Sequence, residues 1–248
     1  MTFTRRGFLG ALAAFPAAAG SATAAALSNL GRIAGEKGIK FGSAFDREVL
    51  SDVHYRTAIA QTCRIGAIEN SLKFDWLKPR SRNADYSFAD RLMDFAGVNQ
   101  VAPKGTAMIW NDWTPPWLNA LSTRETGAEL DRHVEETAAR YAGRMWAWDV
   151  VNEPFFPAHG RDGGFRKGPW LDAMGPGYIA RAFRRAAAAD SNAHLILNEA
   201  FCEQNDDWGN AIRPLLFNFV RKLKDDGVRV DGIGFQAHLK PHLPHDYA

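Results

Sequence analysis

The chain has little cysteine, no long hydrophobic run and almost no net charge. Only Cys63 and Cys202 occur among its 248 residues. Two thiols cannot staple a disulfide scaffold, and neither has a second cysteine at CxxC spacing, so a zinc cluster is disfavoured. An oxidising compartment would allow one bridge between them, a pairing that spacing alone does not decide. The formal charge of +2 comes without any basic block, which argues against nucleic acid as a partner. No segment supplies the roughly 18 consecutive apolar residues of a membrane span.

What is present begins with Arg5 and Arg6, followed by a modest alanine-rich apolar stretch and then Ala22-Thr23-Ala24. This pattern reads as a twin-arginine export signal over residues 1–26, cleaved near Ala24 or Ala26, with a periplasmic or secreted product. An alanine-rich helix of the fold is the competing reading, and the paired arginines disfavour it. Residues 27–248 remain, about 220 residues, enough for one domain with a real core.

Short apolar runs alternate regularly with longer amphipathic ones. The spacing predicts strands over 39–45, 63–68, 105–110, 145–151, 194–197 and 232–239, and helices near 47–61, 89–98, 126–142, 177–189 and 210–226. Such alternation means βαβ units and a parallel sheet covered on both faces. Polar residues sit where the strands end: Glu69-Asn70, Asn111-Asp112, Asn152-Glu153, Asn198-Glu199, and Gln236 with His238. An open doubly wound sheet would gather its functional groups at one switch point. Groups delivered by nearly every strand end instead point to an α/β fold of the (β/α)8 TIM-barrel type, with about six of the eight units a closed barrel needs.

The densest signal is Trp148-Asp149-Val150-Val151-Asn152-Glu153-Pro154. A buried run ends in an amide and a carboxylate, and proline, which has no N–H for the ladder, stops the strand just past the acid. Asn-Glu-Pro alone is commonplace in turns and helix starts, so its company decides its meaning. WDVVNEP at 148–154, AIENSLKFDWLKP at 67–79, MIWNDWTPPWL at 108–118, WLDAMGPGYIARAFRRAAAAD at 170–190 and GIGFQAHL at 232–239 follow one another in an order that resembles the endo-1,4-β-xylanases of glycoside hydrolase family 10.

The resemblance implies a TIM barrel that cleaves xylan with retention and needs no cofactor or metal. It assigns Glu153 as general acid/base and Asn152 to the sugar 2-hydroxyl. Retaining glycosidases need an acid of raised pKa, and contacts to the 2-OH strengthen in the oxocarbenium-like transition state. It also assigns Glu69, Asn70 and Lys73 to hydroxyl binding on the non-reducing side, Trp110 to a place near the cleavage point, and Asn111 and Gln236 to sugar contacts. His238 resembles a histidine that hydrogen-bonds the nucleophile. A plain salt bridge at a strand–helix corner is the bland alternative for Glu69, Asn70 and Lys73.

Four positions depart from the family pattern. Thr106 and Asn111 stand where histidines are usual, Trp113 where a glutamine is, and Glu199 where an aspartate is. The nucleophile glutamate would lie on a strand beyond 232–239, and no residue after His238 can take that role. The expectation is therefore a catalytic domain incomplete at its C-terminus, with negligible xylan turnover. The alternative is a catalytically inactive remnant that binds xylo-oligosaccharides. Unclosed barrel edges would also favour self-association.

Two further patterns carry less. Gly232-Ile233-Gly234-Phe235-Gln236-Ala237 fits a dinucleotide fingerprint, but its glycines start a strand and Pro241 follows where a helix is required. His238, His242 and His245 lie in a proline-containing extended stretch without metal-ligand spacing.

Overall fold

The computed structural model describes residues 29–239. It contains α1 (Asn29–Glu36), β1 (Gly42–Phe45), α2 (Val53–Thr62), β2 (Ile65–Ile68), the single turn α3 (Phe74–Leu77), α4 (Ser87–Val98), β3 (Ala102–Gly105), β4 (Ile109–Trp110), α5 (Thr123–Arg140), β5 (Ala147–Asn152), α6 (Pro169–Met174), α7 (Gly177–Ala189), β6 (His194–Glu199), α8 (Asp207–Asp225) and β7 (Gly232–Phe235). The export signal expected at 1–26 lies outside the described residues, as do His242 and His245.

All strand pairs are parallel, in the order β1-β2-β3-β5-β6-β7, and β4 pairs with β5 beside β3. Since β3 and β4 share one position, the sheet is an arc of six positions from a (β/α)8 barrel, and each position before β7 is followed by a helix. Among the described residues, β1 and β7 are the two ends of the arc and do not pair with each other.

Most strands are shorter than their apolar runs suggest, for local reasons, whereas β6 runs past 197 to Glu199. Ile39 donates to Ala34 O at 2.9 Å, closing the end of α1, so β1 starts at Gly42. Cys63 likewise caps α2 by donating to Ile59 O at 2.9 Å. The run at 105–110 splits where Met108 N–H donates to Asp149 O and the Thr106 hydroxyl donates to Ile68 O and Glu69 O, both at 3.0 Å. The run at 232–239 ends at Phe235, and Ala237 beyond it turns left-handed at φ 51°.

Helix ends follow capping chemistry. Ser122 and Glu125 form a capping box at the start of α5, and Asp52 and Asp206 cap α2 and α8. β5 is buried at every residue, as expected for a strand covered on both faces. Of the two alternating tryptophans on it and before it, Trp148 is the core residue. Its ring lies on Gly105, where a Cβ would come within 2.2 Å of it, and beside Tyr141 at the end of α5. Both cysteines are free and buried, so the one bridge that the sequence allowed does not form.

Candidate active site

β5 carries one extra residue. Asp149 pairs with Ile196 of β6, but Val151 pairs with Leu197, leaving Val150 as a bulge. A one-residue insertion flips every later side chain to the other face of the strand. Asn152 is thereby brought opposite Asn198, and the Asn198 amide donates to Asn152 Oδ1 at 2.7 Å.

Glu153 follows in the left-handed region at φ 47°, sparsely populated by residues with a Cβ and costing about 1–3 kcal/mol where the surroundings enforce it. Its N–H donates to Asn198 O at 2.8 Å, and Pro154 ends the ladder. Gln236, just past β7, donates from Nε2 to Glu153 Oε1 at 2.8 Å and to Asn152 Oδ1 at 3.1 Å. Asn152 Nδ2 also donates to Glu153 Oε1, at 3.3 Å. His238 donates from Nε2 to Gln236 Oε1 at 2.8 Å, which places a proton on that nitrogen. Three strand ends therefore bring Asn152, Glu153, Asn198, Gln236 and His238 into one connected network.

Two residues outside the sequence assignment complete the setting of Glu153. Arg166 donates from Nε to Glu153 O at 2.7 Å and from Nη2 to Glu153 Oε2 at 2.8 Å, while Nη1 binds Asp112. Its guanidinium also lies 4.7 Å from the centre of the Phe156 ring. Glu199, at the end of β6, is fully buried beneath the turn. Its carboxyl accepts from Phe155 N at 3.2 Å and Ala200 N at 2.9 Å. Burial pushes its pKa up to about 8; the two backbone donors and Arg166 oppose this, and the charge of Glu153 adds to it. Arg166 lies in a glycine-rich loop without periodicity, so no sequence pattern marks it. Asn198 and Glu199 were visible as polar residues at a strand end.

The second cluster stands on Asp46, at the C-terminal end of β1. Its carboxylate accepts from Asn70 N at 2.6 Å, Ser71 N at 2.9 Å, Ser71 Oγ at 2.6 Å and Arg47 N at 2.9 Å. This pins the Glu69-Asn70-Ser71 turn after β2. Asn70 Oδ1 then accepts from Lys73 Nζ at 2.9 Å, so the trio is not a simple Glu–Lys bridge. Burial lowers the pKa of Lys73, opposed by the charges of Glu69, Asp75, Asp46 and Glu153. Glu69 is exposed at the lip of a cleft of about 430 Å³ that Asp46, Tyr55 and Asn70 also line. Trp110 stacks on Trp113 with ring centres 5.6 Å apart, and Lys73 Nζ lies 5.4 Å and 4.7 Å from their centres.

Asn111 is placed differently. It is buried, its Nδ2 donates to Arg166 O at 3.4 Å and Tyr178 Oη at 3.3 Å, and its Oδ1 accepts from Trp170 N at 3.1 Å. Gly168 crosses directly over it, where a Cβ would come within 2.6 Å of the amide. These hydrogen bonds hold the loop that carries Arg166, and Asn111 also lines a cleft of about 660 Å³ with Asp112 and Arg166. Among the described residues no group of histidine, cysteine and carboxylate side chains is arranged to hold a metal ion.

The sequence model of Glycosyl hydrolase family 10 matches residues 29–246. The chain belongs to this family. It is 32% identical over 221 residues to Endo-1,4-beta-xylanase C of Phanerodontia chrysosporium, covering 88% of this chain and 53% of that protein. It is 34% identical over 224 residues to Endo-1,4-beta-xylanase 5 of Pyricularia oryzae, with 89% and 53% covered. Among solved structures, native xylanase 10B of Thermotoga maritima superposes with a TM-score of 0.75 at 30% identity, covering 84% of this chain and 63% of that one. Xylanase 10B of Thermotoga petrophila, solved with xylobiose, gives 0.75 at 30% identity, with 84% and 62% covered. This family member thus spans about half the length of those curated relatives, 53% in each case.

Proposed function

We propose that this family 10 chain carries the acid/base half of a retaining endo-1,4-β-xylanase, with Glu153 protonating the leaving oxygen. The carrying observation is the network at the rim of β5, β6 and β7, where Gln236, Asn152 and Arg166 fix both carboxylate oxygens of Glu153. A carboxylate held at both oxygens is oriented before substrate arrives. In this reading Asn152 grips the 2-hydroxyl, and Asn70, Lys73 and Glu69 bind hydroxyls on the non-reducing side. His238 and Gln236 complete the wall.

A retaining mechanism also needs a carboxylate nucleophile about 5–5.5 Å from the acid. Among the described residues Glu199 does not meet that need, because it is buried and bound to backbone N–H groups. The substrate is xylan or xylo-oligosaccharide, and residues 1–26 would direct export by the twin-arginine route. No helix among the described residues is long and apolar enough to cross a membrane.

Xylotetraose calorimetry on the 248-residue chain, alongside a xylan hydrolysis assay, tests the reading. Binding that weakens in Lys73→Ala and Glu69→Ala supports it, and a chain that binds no xylo-oligosaccharide overturns it. Xylose-oligomer release that disappears in Glu153→Ala would further place a working second carboxylate within the chain.

A further inference from the structure

Trp113 is the departure from the family pattern that the network around Glu153 leaves unused. It is 39% exposed, an unusual position for an indole on a polar rim. Its neighbours reveal which face is open. The Lys73 ammonium lies 4.7 Å from the Trp113 ring centre and 5.4 Å from that of Trp110, while the two indoles are 5.6 Å apart at an interplanar angle of 27°. Were Lys73 and Trp110 on opposite faces of Trp113, the ammonium would stand almost twice as far from Trp110 as it does. Both therefore cover one face, and the other is turned to solvent.

The segment that presents this face is fixed at each preceding residue. Asn111 is bonded to Trp170 N and Arg166 O, and Asp112 to Arg166. Pro115 and Pro116 stiffen the backbone on the C-terminal side of the indole. An exposed indole on a rigid support is what the flat C–H face of a pyranose ring requires.

We propose that the open face of Trp113 is a stacking platform for a pyranose ring of a xylo-oligosaccharide. This rests on the xylan-binding reading and adds to it a residue that sets affinity.

The experiment is titration of the 248-residue chain with xylotetraose by calorimetry and tryptophan fluorescence. Trp113→Gln, which restores the family's usual residue, should weaken xylotetraose binding about tenfold and abolish most of the fluorescence change. Trp113→Phe keeps a flat face and should stay within about threefold of the parent. Circular dichroism of each variant establishes that it folds. Equal affinities in the parent and Trp113→Gln would overturn the platform while leaving xylan binding intact. A Phe variant as weak as the Gln variant would also count against it. A parent chain that does not bind xylotetraose would remove the xylan reading and the platform together.

Discussion

Arg166 holds Glu153 at two points, donating from Nε to its backbone carbonyl at 2.7 Å and from Nη2 to its carboxylate at 2.8 Å. One side chain thus fixes both the left-handed backbone of the acid and the direction of its carboxyl group. The Arg166 and Glu153 side chains are only 5% and 11% exposed. Removing one member of such a pair leaves the other charge buried without compensation, at roughly 3 kcal/mol. Arg166→Met should therefore destabilise the fold by about that amount in urea denaturation. Adding Glu153→Gln to it should recover about 1–2 kcal/mol, because the stranded charge is then gone. A double variant no more stable than Arg166→Met would refute this coupling.

Asp46 supports the turn over residues 69–71 without belonging to it. Its carboxylate accepts two backbone N–H groups and the hydroxyl of the 69–71 turn. Asp46→Ala should cost about 2 kcal/mol of stability through orphaned donors. It should also weaken xylotetraose binding, since Asn70 and Lys73 lose their fixed position. Unchanged affinity in a folded Asp46→Ala protein would show that the turn holds its shape alone.

Glu199 gives a pH signature. Its folded pKa, pushed up to about 8 chiefly by burial, lies well above the ordinary 4.5. Between those values the folded protein keeps a proton that the unfolded chain has released. The favourable contribution of protonated Glu199 is therefore full below about pH 4.5 and is lost as pH rises through about 8. Glu199→Gln loses one backbone hydrogen bond but does not titrate. Its stability deficit relative to the parent should shrink between pH 5 and pH 8, by at most about 1.4 kcal/mol per pH unit. Parallel stability–pH curves for the two proteins would contradict this assignment.

Both thiols should be silent in the native state. Cys63 and Cys202 are buried and free, burial raises the pKa of each, and that of Cys202 reaches about 12. Thiolate is the reactive form, so a disulfide reagent such as Ellman's should label neither cysteine within minutes. Two equivalents should react once the chain is unfolded, matching the two cysteines. Rapid native labelling at either position would show an opening that the packing does not contain.

The order of elements was legible because burial on both faces imposes continuous apolar runs, and parallel pairing imposes helices between them. Helix α7 was found at its observed bounds, Gly177–Ala189, since its apolar and arginine faces repeat at helical period. Strand limits were less legible. Cys63 and Ile39 have strand-like side chains, yet their backbone N–H groups close helices, and composition does not encode that choice. Among site residues, Asn152 and Glu153 stood out by their place after a buried run. Asp46 and Arg166 did not, because each acts across a gap in sequence that no local pattern spans. The part of Asn111 in holding the Arg166 loop was hidden for the same reason: its partners are Arg166, Tyr178 and Trp170.

The sequence by itself determined that this chain forms parallel βα units with polar groups at the strand ends, and it determined the family. Periodicity and local turn chemistry act over a few residues, and those features are written at that scale. Only the tertiary structure decided that a bulge at Val150 turns Asn152 inward, that Arg166 bends over Glu153, and that Asn111 supports a loop. Each depends on a register or a contact between segments distant in the chain, and the relative positions of those segments exist only once the sheet has formed.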